Sequence, residues 1–236
     1  MDFTIRPKWV LVWMLCVIAL LATLHVAQLL AYYYIDDSEV FDFVQLIDFD
    51  YEGNLPSLYS HIAIFFAASL LWFIAIQKRK TLAAPYRYHW ILLAVIFTFL
   101  GFDEALALHE EVGDLFEDRR WVDASGYLFF AWVVPYGVLL AIFVISYLRF
   151  VFALPRVTML LFITAGTLFV GGAVGIEVFS AHEADLRGSE TIMYSVLYTL
   201  EELCEMVGIA LFCYALMRYI ETEYGYLRIH FDSAER

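Results

Sequence analysis

A chain of 236 residues that is 63% hydrophobic and only 17% charged is not an ordinary soluble globular domain, where about a quarter of residues carry charge. Its net charge of −13 disfavours nucleic acid as a partner and would concentrate cations. The three cysteines, Cys16, Cys204 and Cys213, all lie in apolar stretches, so no disulfide framework is expected and each reads as a small core residue.

Apolar runs of about 20 residues, enough to cross a bilayer at ~1.5 Å per residue, occur six times. They fall at about 9–31, 57–77, 90–109, 127–148, 157–181 and 191–217 and predict an all-α fold, a single-domain integral membrane bundle of six transmembrane helices. Arg6, Lys8, Lys78, Arg79, Lys80, Arg87, Arg149, Arg156, Arg218, Arg228 and Arg236 fall on one side; Arg119, Arg120 and Arg187 fall on the other. The positive-inside bias then predicts cytoplasmic N and C termini in a multi-pass protein of the inner (plasma) membrane. The first span is too long for a signal-peptide core and reads as an uncleaved anchor.

In chain order, span 1 carries His25 and Gln28 in its outer half, then an interfacial belt of Tyr32, Tyr33 and Tyr34. His25 reads as a hydrogen-bonded core residue. The loop from Ile35 to Pro56 mixes acids with Val40, Phe41, Phe43, Val44, Leu46 and Ile47, a pattern expected of a short amphipathic helix over the bundle mouth. Span 2 has His61 near its outer end and stops at Gln77-Lys78-Arg79-Lys80. Span 3 closes on GFDEALALHE, Gly101–Glu110. Span 4 contains Pro135, which predicts a kink. In span 5, Gly171-x3-Gly175 predicts close approach of a neighbouring helix beside Glu177, and the span closes on GIEVFSAHE, Gly175–Glu183. Span 6 holds TLEELCEMVG, Thr199–Gly208, with Glu201, Glu202 and Glu205 inside an otherwise apolar run. The tail from Tyr219 to His230 reads as a helix end.

Ionisable residues within spans are costly, face the bundle interior and mark sites or pathways. Spans 3 and 5 share Glu-x4-His-Glu: Glu104 with His109, and Glu177 with His182. Positions five apart on an α-helix differ by about 140°, so each pair can share a face only through a wide turn or an early helix end. Glu202 and Glu205, three apart, share a face without distortion.

Glu104, His109, Glu177, His182, Glu202 and Glu205 together make four carboxylates and two imidazoles, the ligand count of carboxylate-bridged dinuclear sites in four-helix bundles, though without their Glu-x-x-His spacing. Oxygen and nitrogen donors suit a divalent Fe, Mn or Zn ion. The residues therefore point to a metal-binding membrane protein, read as a hydrolase or oxidoreductase whose site opens to the outer (periplasmic) face. Membrane lipids surround it, and an apolar or lipid-like substrate suits the location. The alternatives are a cation or proton translocator using the same carboxylates, and a non-catalytic subunit of an oligomer or larger membrane complex. Span 6 is apolar from Met206 to Met217, which counts against a polar through-path.

Overall fold

The computed structural model describes residues 2–4, 6–34, 45–80, 85–225 and 228–230. Strand β1 (Asp2–Thr4) leads into α1 (Pro7–Tyr34), α2 (Leu55–Arg79), α3 (Arg87–Leu106) and the short α4 (Leu108–Asp118). After a single 3₁₀ turn at Gly126–Leu128 come α5 (Val133–Phe152) and α6 (Arg156–Val170). A π-helical segment, Gly171–Ile176, joins α6 to α7 (Glu177–Arg187); α8 (Ile192–Tyr224) and strand β2 (Arg228–His230) follow. Six helical runs are long and apolar enough to cross a membrane, the fifth being α6 through α7 as one 32-residue run.

The helices start where local chemistry satisfies their first amides. Pro7 opens α1, where a missing N–H costs nothing. Asn54 caps α2, accepting from the Ser57 amide while the Ser57 hydroxyl accepts from Asn54 N–H. Thr191 caps α8 through the Tyr194 amide.

Helix α8 is the central post. Of its most apolar stretch 61% is buried, against 17% for α1, for α5 and for the α6–α7 run. Lipid tails are as apolar as leucine, so burial alone does not hold such helices together; close van der Waals packing does. Gly172 and Gly208 supply the close approach. A Cβ on Gly172 would stand 2.6 Å from the Glu201 carbonyl oxygen, and one on Gly208 would stand 2.7 Å from the Phe169 amide nitrogen. The expected contact at Gly171 and Gly175 is not made: Gly171 has no neighbour within 4 Å and Gly175 meets only its own helix. A core of Leu71, Ile74, Trp90, Phe150, Phe212, Leu216 and Ile220 closes the end of the bundle nearer the termini, with Trp90 stacked 4.9 Å from Tyr219.

Helix α5 is attached at two places. At one end Trp132 packs against Gly113 of α4, and the Tyr136 hydroxyl donates to Asp103 at 2.6 Å. At the other, the Tyr147 hydroxyl donates to the His89 carbonyl at 2.9 Å and Phe150 meets Trp90 edge-on. Only Val133, Tyr147 and Phe150 of this helix are buried, so its middle stands off the bundle.

Several sequence expectations change. The third span stops at Leu106 rather than 109, because Ala107 adopts a left-handed conformation (φ 49°, ψ 40°) and α4 starts afresh. The fourth begins at Val133 rather than 127, which puts Pro135 in the first turn, where it breaks no interior hydrogen bond. The bundle is helical as expected, but residues 228–230 form a strand, not a helix end. That strand pairs antiparallel with β1, Phe3 opposite Ile229, which brings the two termini to one end of the bundle. Residues 35–44 of the expected amphipathic helix lie outside the described residues; residues 45–53 form turns and bends.

The glycine crossing yields a test. Gly208→Leu should lower the thermal midpoint in detergent, at a cost of about 1–3 kcal/mol, because the new side chain meets backbone that cannot yield. Gly137→Ala, where nothing lies within 4 Å, should leave the midpoint unchanged or raise it.

Candidate functional site

At the end of the bundle away from the termini, three local devices turn acidic side chains inward. The first is the break at Ala107. Its left-handed backbone, held by an N–H to the Asp103 carbonyl, ends α3 and lets α4 start afresh with His109 beside the last turn of α3. The His109 ring lies 3.4 Å from the Asp103 carboxylate, and its charge interacts with Glu104. The helix end expected between Glu104 and His109 is therefore present.

The second device is the π-helical segment. It lies before Glu177, not between Glu177 and His182 as expected, and α7 is regular after it. The extra residue in the turn rotates α7 so that Glu177 and Ser180 face α8. Trp132 Nε1 donates to Glu177 at 3.3 Å, and the Ser180 hydroxyl donates to Glu201 at 3.1 Å. His182, about 140° round the helix from Glu177, points elsewhere. Its ring stacks 4.1 Å from Tyr127, and its buried Nδ1 has no hydrogen-bond partner among the described residues.

The third device is the loop before α2, anchored by buried Asp48. Gln28 Nε2 donates to its carboxylate at 2.8 Å, the Tyr198 hydroxyl at 3.2 Å and the Asp50 amide at 3.2 Å. His25 stacks on Phe49 at 4.2 Å and lies 3.6 Å from Asp48. The Thr199 hydroxyl gives its proton to the Ser195 carbonyl, so it must accept from His25 Nε2 at 2.9 Å. With Nε2 donating there, Nδ1 faces the Phe49 amide and the Gln28 side-chain oxygen, each at 3.3 Å. Held in this way, the loop presents Asp50 and Glu52 to the bundle, with the Tyr194 hydroxyl on Asp50 at 3.0 Å.

These devices converge on one cavity of about 1530 Å³. It is lined by 11 acidic residues: Asp50, Glu52, Asp103, Glu104, Glu110, Asp114, Glu117, Glu177, Glu201, Glu202 and Glu205. The lining has one imidazole, His109, and contains no lysine or arginine among the described residues. Glu202 lies within electrostatic reach of Glu104, Glu177, Glu52 and Asp50, and Glu205 within reach of Glu202, Glu104 and Glu177. No hydrogen-bond donor among the described residues reaches the carboxylates of Glu104, Glu202 or Glu205.

The groups outside the spans register this crowding. Asp50 opens on the cavity, yet the protein around it strips enough bulk water to push its carboxyl up to about 6, against the lowering by Tyr194. Burial and then the neighbouring Glu110 raise Glu52. Burial pulls His109 down, but Asp103, Glu104 and Glu52 outweigh it and hold the imidazole above its ordinary value. Surroundings that retain a proton on His109 would equally attract a cation.

Of the six sequence-derived residues, Glu104, His109, Glu177, Glu202 and Glu205 line the cavity and His182 does not. Among the described residues, one set of three brings a donor atom from each within 4.8 Å of the others: Glu52, His109 and Glu110. Glu110 was signalled by its place beside His109 in the shared motif. Glu52 sits in an acidic loop where the sequence offered no periodicity to mark it. Cys204 packs beside Gly172 and does not line the cavity.

Asp48→Ala should test the anchored loop. It leaves the Gln28 and Tyr198 donors without their acceptor, a cost of about 1–3 kcal/mol for each buried group. Amide exchange over residues 45–54 should rise while exchange in α2 and α8 near Trp90 stays unchanged.

The chain can be set beside known proteins. The model of a family described as "Domain of unknown function (DUF8692)" matches residues 10–219. No curated protein and no solved structure matches. The family match runs from α1 into the last turns of α8 and includes every acidic residue of the cavity, so the chain belongs to the DUF8692 family.

Proposed function

We propose that this is a membrane-embedded metal-binding protein, a metalloenzyme whose acid-lined cavity opens to the outer face of the inner membrane. One observation carries the reading: among the described residues, 11 acidic side chains and one imidazole share a cavity that no lysine or arginine lines. Carboxylates so close together cannot all stay ionised unless a cation neutralises them. Glu52, His109 and Glu110 form the ligand set, and Glu104, Glu202 and Glu205 add negative charge in the same cavity. Oxygen and nitrogen donors select a divalent Fe, Mn or Zn ion over a sulfur-seeking one. His182 drops out of the ligand set.

A cation held there would act as a Lewis acid and make a bound water or oxygen reactive near neutral pH. Glu177, held by Trp132, would accept the proton released. The rival reading, translocation of cations or protons, needs polar residues beyond Glu205. The cavity wall there is Gly208, Ile209 and Phe212, which favours a site over a path. The bias of basic residues towards the terminal end supports the outward orientation.

Metal titration followed by thermal unfolding tests the reading. Zn²⁺, Mn²⁺ or Fe²⁺ should raise the midpoint, because a ligand that prefers the folded state stabilises it by mass action. His109→Ala or Glu52→Gln should weaken binding at least tenfold, while His182→Ala should leave it unchanged. Equal loss from His182→Ala, or no response to any metal, would remove the proposal.

A further inference from the structure

The acid-lined end is only part of the cavity. Below it the same space continues along α5 as an apolar cleft between α3, α5 and α6, walled by Phe97, Leu139, Phe143, Phe162 and Phe169. It reaches Phe150 and Phe152 at the other end of α5, a length of about 30 Å for 20 helical residues. At about 1530 Å³ the whole cavity exceeds the ~300–1,000 Å³ of ordinary small-molecule pockets. Polar side chains are concentrated at one end and hydrocarbon-like walls fill the rest.

We propose that this cleft holds the hydrocarbon chain of a long-chain amphiphile, with its oxygen-bearing head group at the acid-lined end. Three observations select this occupant. The single polar-to-apolar gradient matches a molecule with one polar end and one long apolar end. Helix α5 is fastened at the acid-lined end of the cleft by Trp132 and Tyr136 and towards its other end by Tyr147 and Phe150. A partner helix lying in the cleft would have to displace those fastenings, whereas a flexible chain slides in sideways from the bilayer. A head-group oxygen complements a metal-bearing carboxylate cluster, where a bare anion would be repelled and a second apolar group would strand the acids. The head-group placement rests on the metal reading; the tail placement does not.

Photolabelling of the full chain in lipid vesicles tests this directly. Two probes are used, octadecanol carrying a diazirine near the hydroxyl and octadecanol carrying it near the chain end. The head-proximal probe should label peptides holding Glu52 and Trp132, and the tail-end probe those holding Phe150 and Phe162. Leu139 and Phe143, which line the cavity, should be labelled at least tenfold more than Val138 and Ile145 of the same helix, which do not. Gly166→Trp should cut cleft labelling at least tenfold, since nothing lies within 4 Å of a Cβ there and the indole fills the space. Leu139→Trp repeats the block from α5, so a folding failure in one variant leaves the other. Thermal midpoint and metal content should not change in either. Equal labelling of cleft and flank, or labelling unaffected by both blocks, would overturn the assignment, as would exchange of the two probes' positions. Specific cleft labelling in a protein that binds no metal would support the lipid assignment and remove the metal reading alone.

Discussion

A negative charge placed among protein and hydrocarbon must find a positive one or give up its charge. Glu104, Glu202 and Glu205 face a common space where no hydrogen-bond donor among the described residues reaches their carboxylates, and no lysine or arginine among those residues lines it. The interior dielectric strengthens their mutual repulsion and removes the water that would screen it. Either protons or cations must balance the cluster, and the neighbouring imidazole and the Glu52–His109–Glu110 grouping favour a metal. The rest of the acidic end can be understood as the means of bringing those charges together.

Each means departs from regular structure. Ala107 holds a left-handed backbone that costs a non-glycine residue about 1–2 kcal/mol. The π-helical segment gives up regular α hydrogen bonding over six residues. The loop over the cavity needs a buried carboxylate, Asp48, satisfied by Gln28, Tyr198 and a backbone amide. Local strain and buried polar groups of this kind gather where function requires a geometry that regular helices do not supply. The terminal half of the bundle has one left-handed non-glycine residue among the described residues, Tyr86 before α3, and is packed from Leu71, Ile74, Trp90, Phe212 and Leu216.

Much of the helical architecture was legible in the sequence because hydropathy reports directly on what can lie in a bilayer. Glu104 and Glu202 interrupt long apolar runs, and both line the cavity. Rotation was harder. The spacing of Glu104 and His109 called for a helix break if the two were to share a face, and α3 does end between them. The identical spacing of Glu177 and His182 meant something else, because α7 runs on undisturbed and His182 stacks on Tyr127. Counting residues gives the angle between two side chains on one helix, but not which of them a neighbour will meet. Glu52 was beyond reach for a different reason. Its place depends on Asp48 meeting Gln28 and Tyr198, contacts 20 and 150 residues apart in sequence. Gly172 likewise displaced Gly171 and Gly175 at the crossing, since the π-helical segment changes which glycine faces α8.

The central claim is that a metal cation balances the acid-lined cavity. Its most direct test is the metal content of the chain purified from its native membrane without chelator, by elemental analysis referred to protein concentration. The account predicts one or two equivalents of Fe, Mn or Zn per chain, lost in Glu202→Gln and His109→Ala. A chain free of metal, insensitive to chelator and made more stable by Glu202→Gln would contradict it, because protons would then be balancing the cluster.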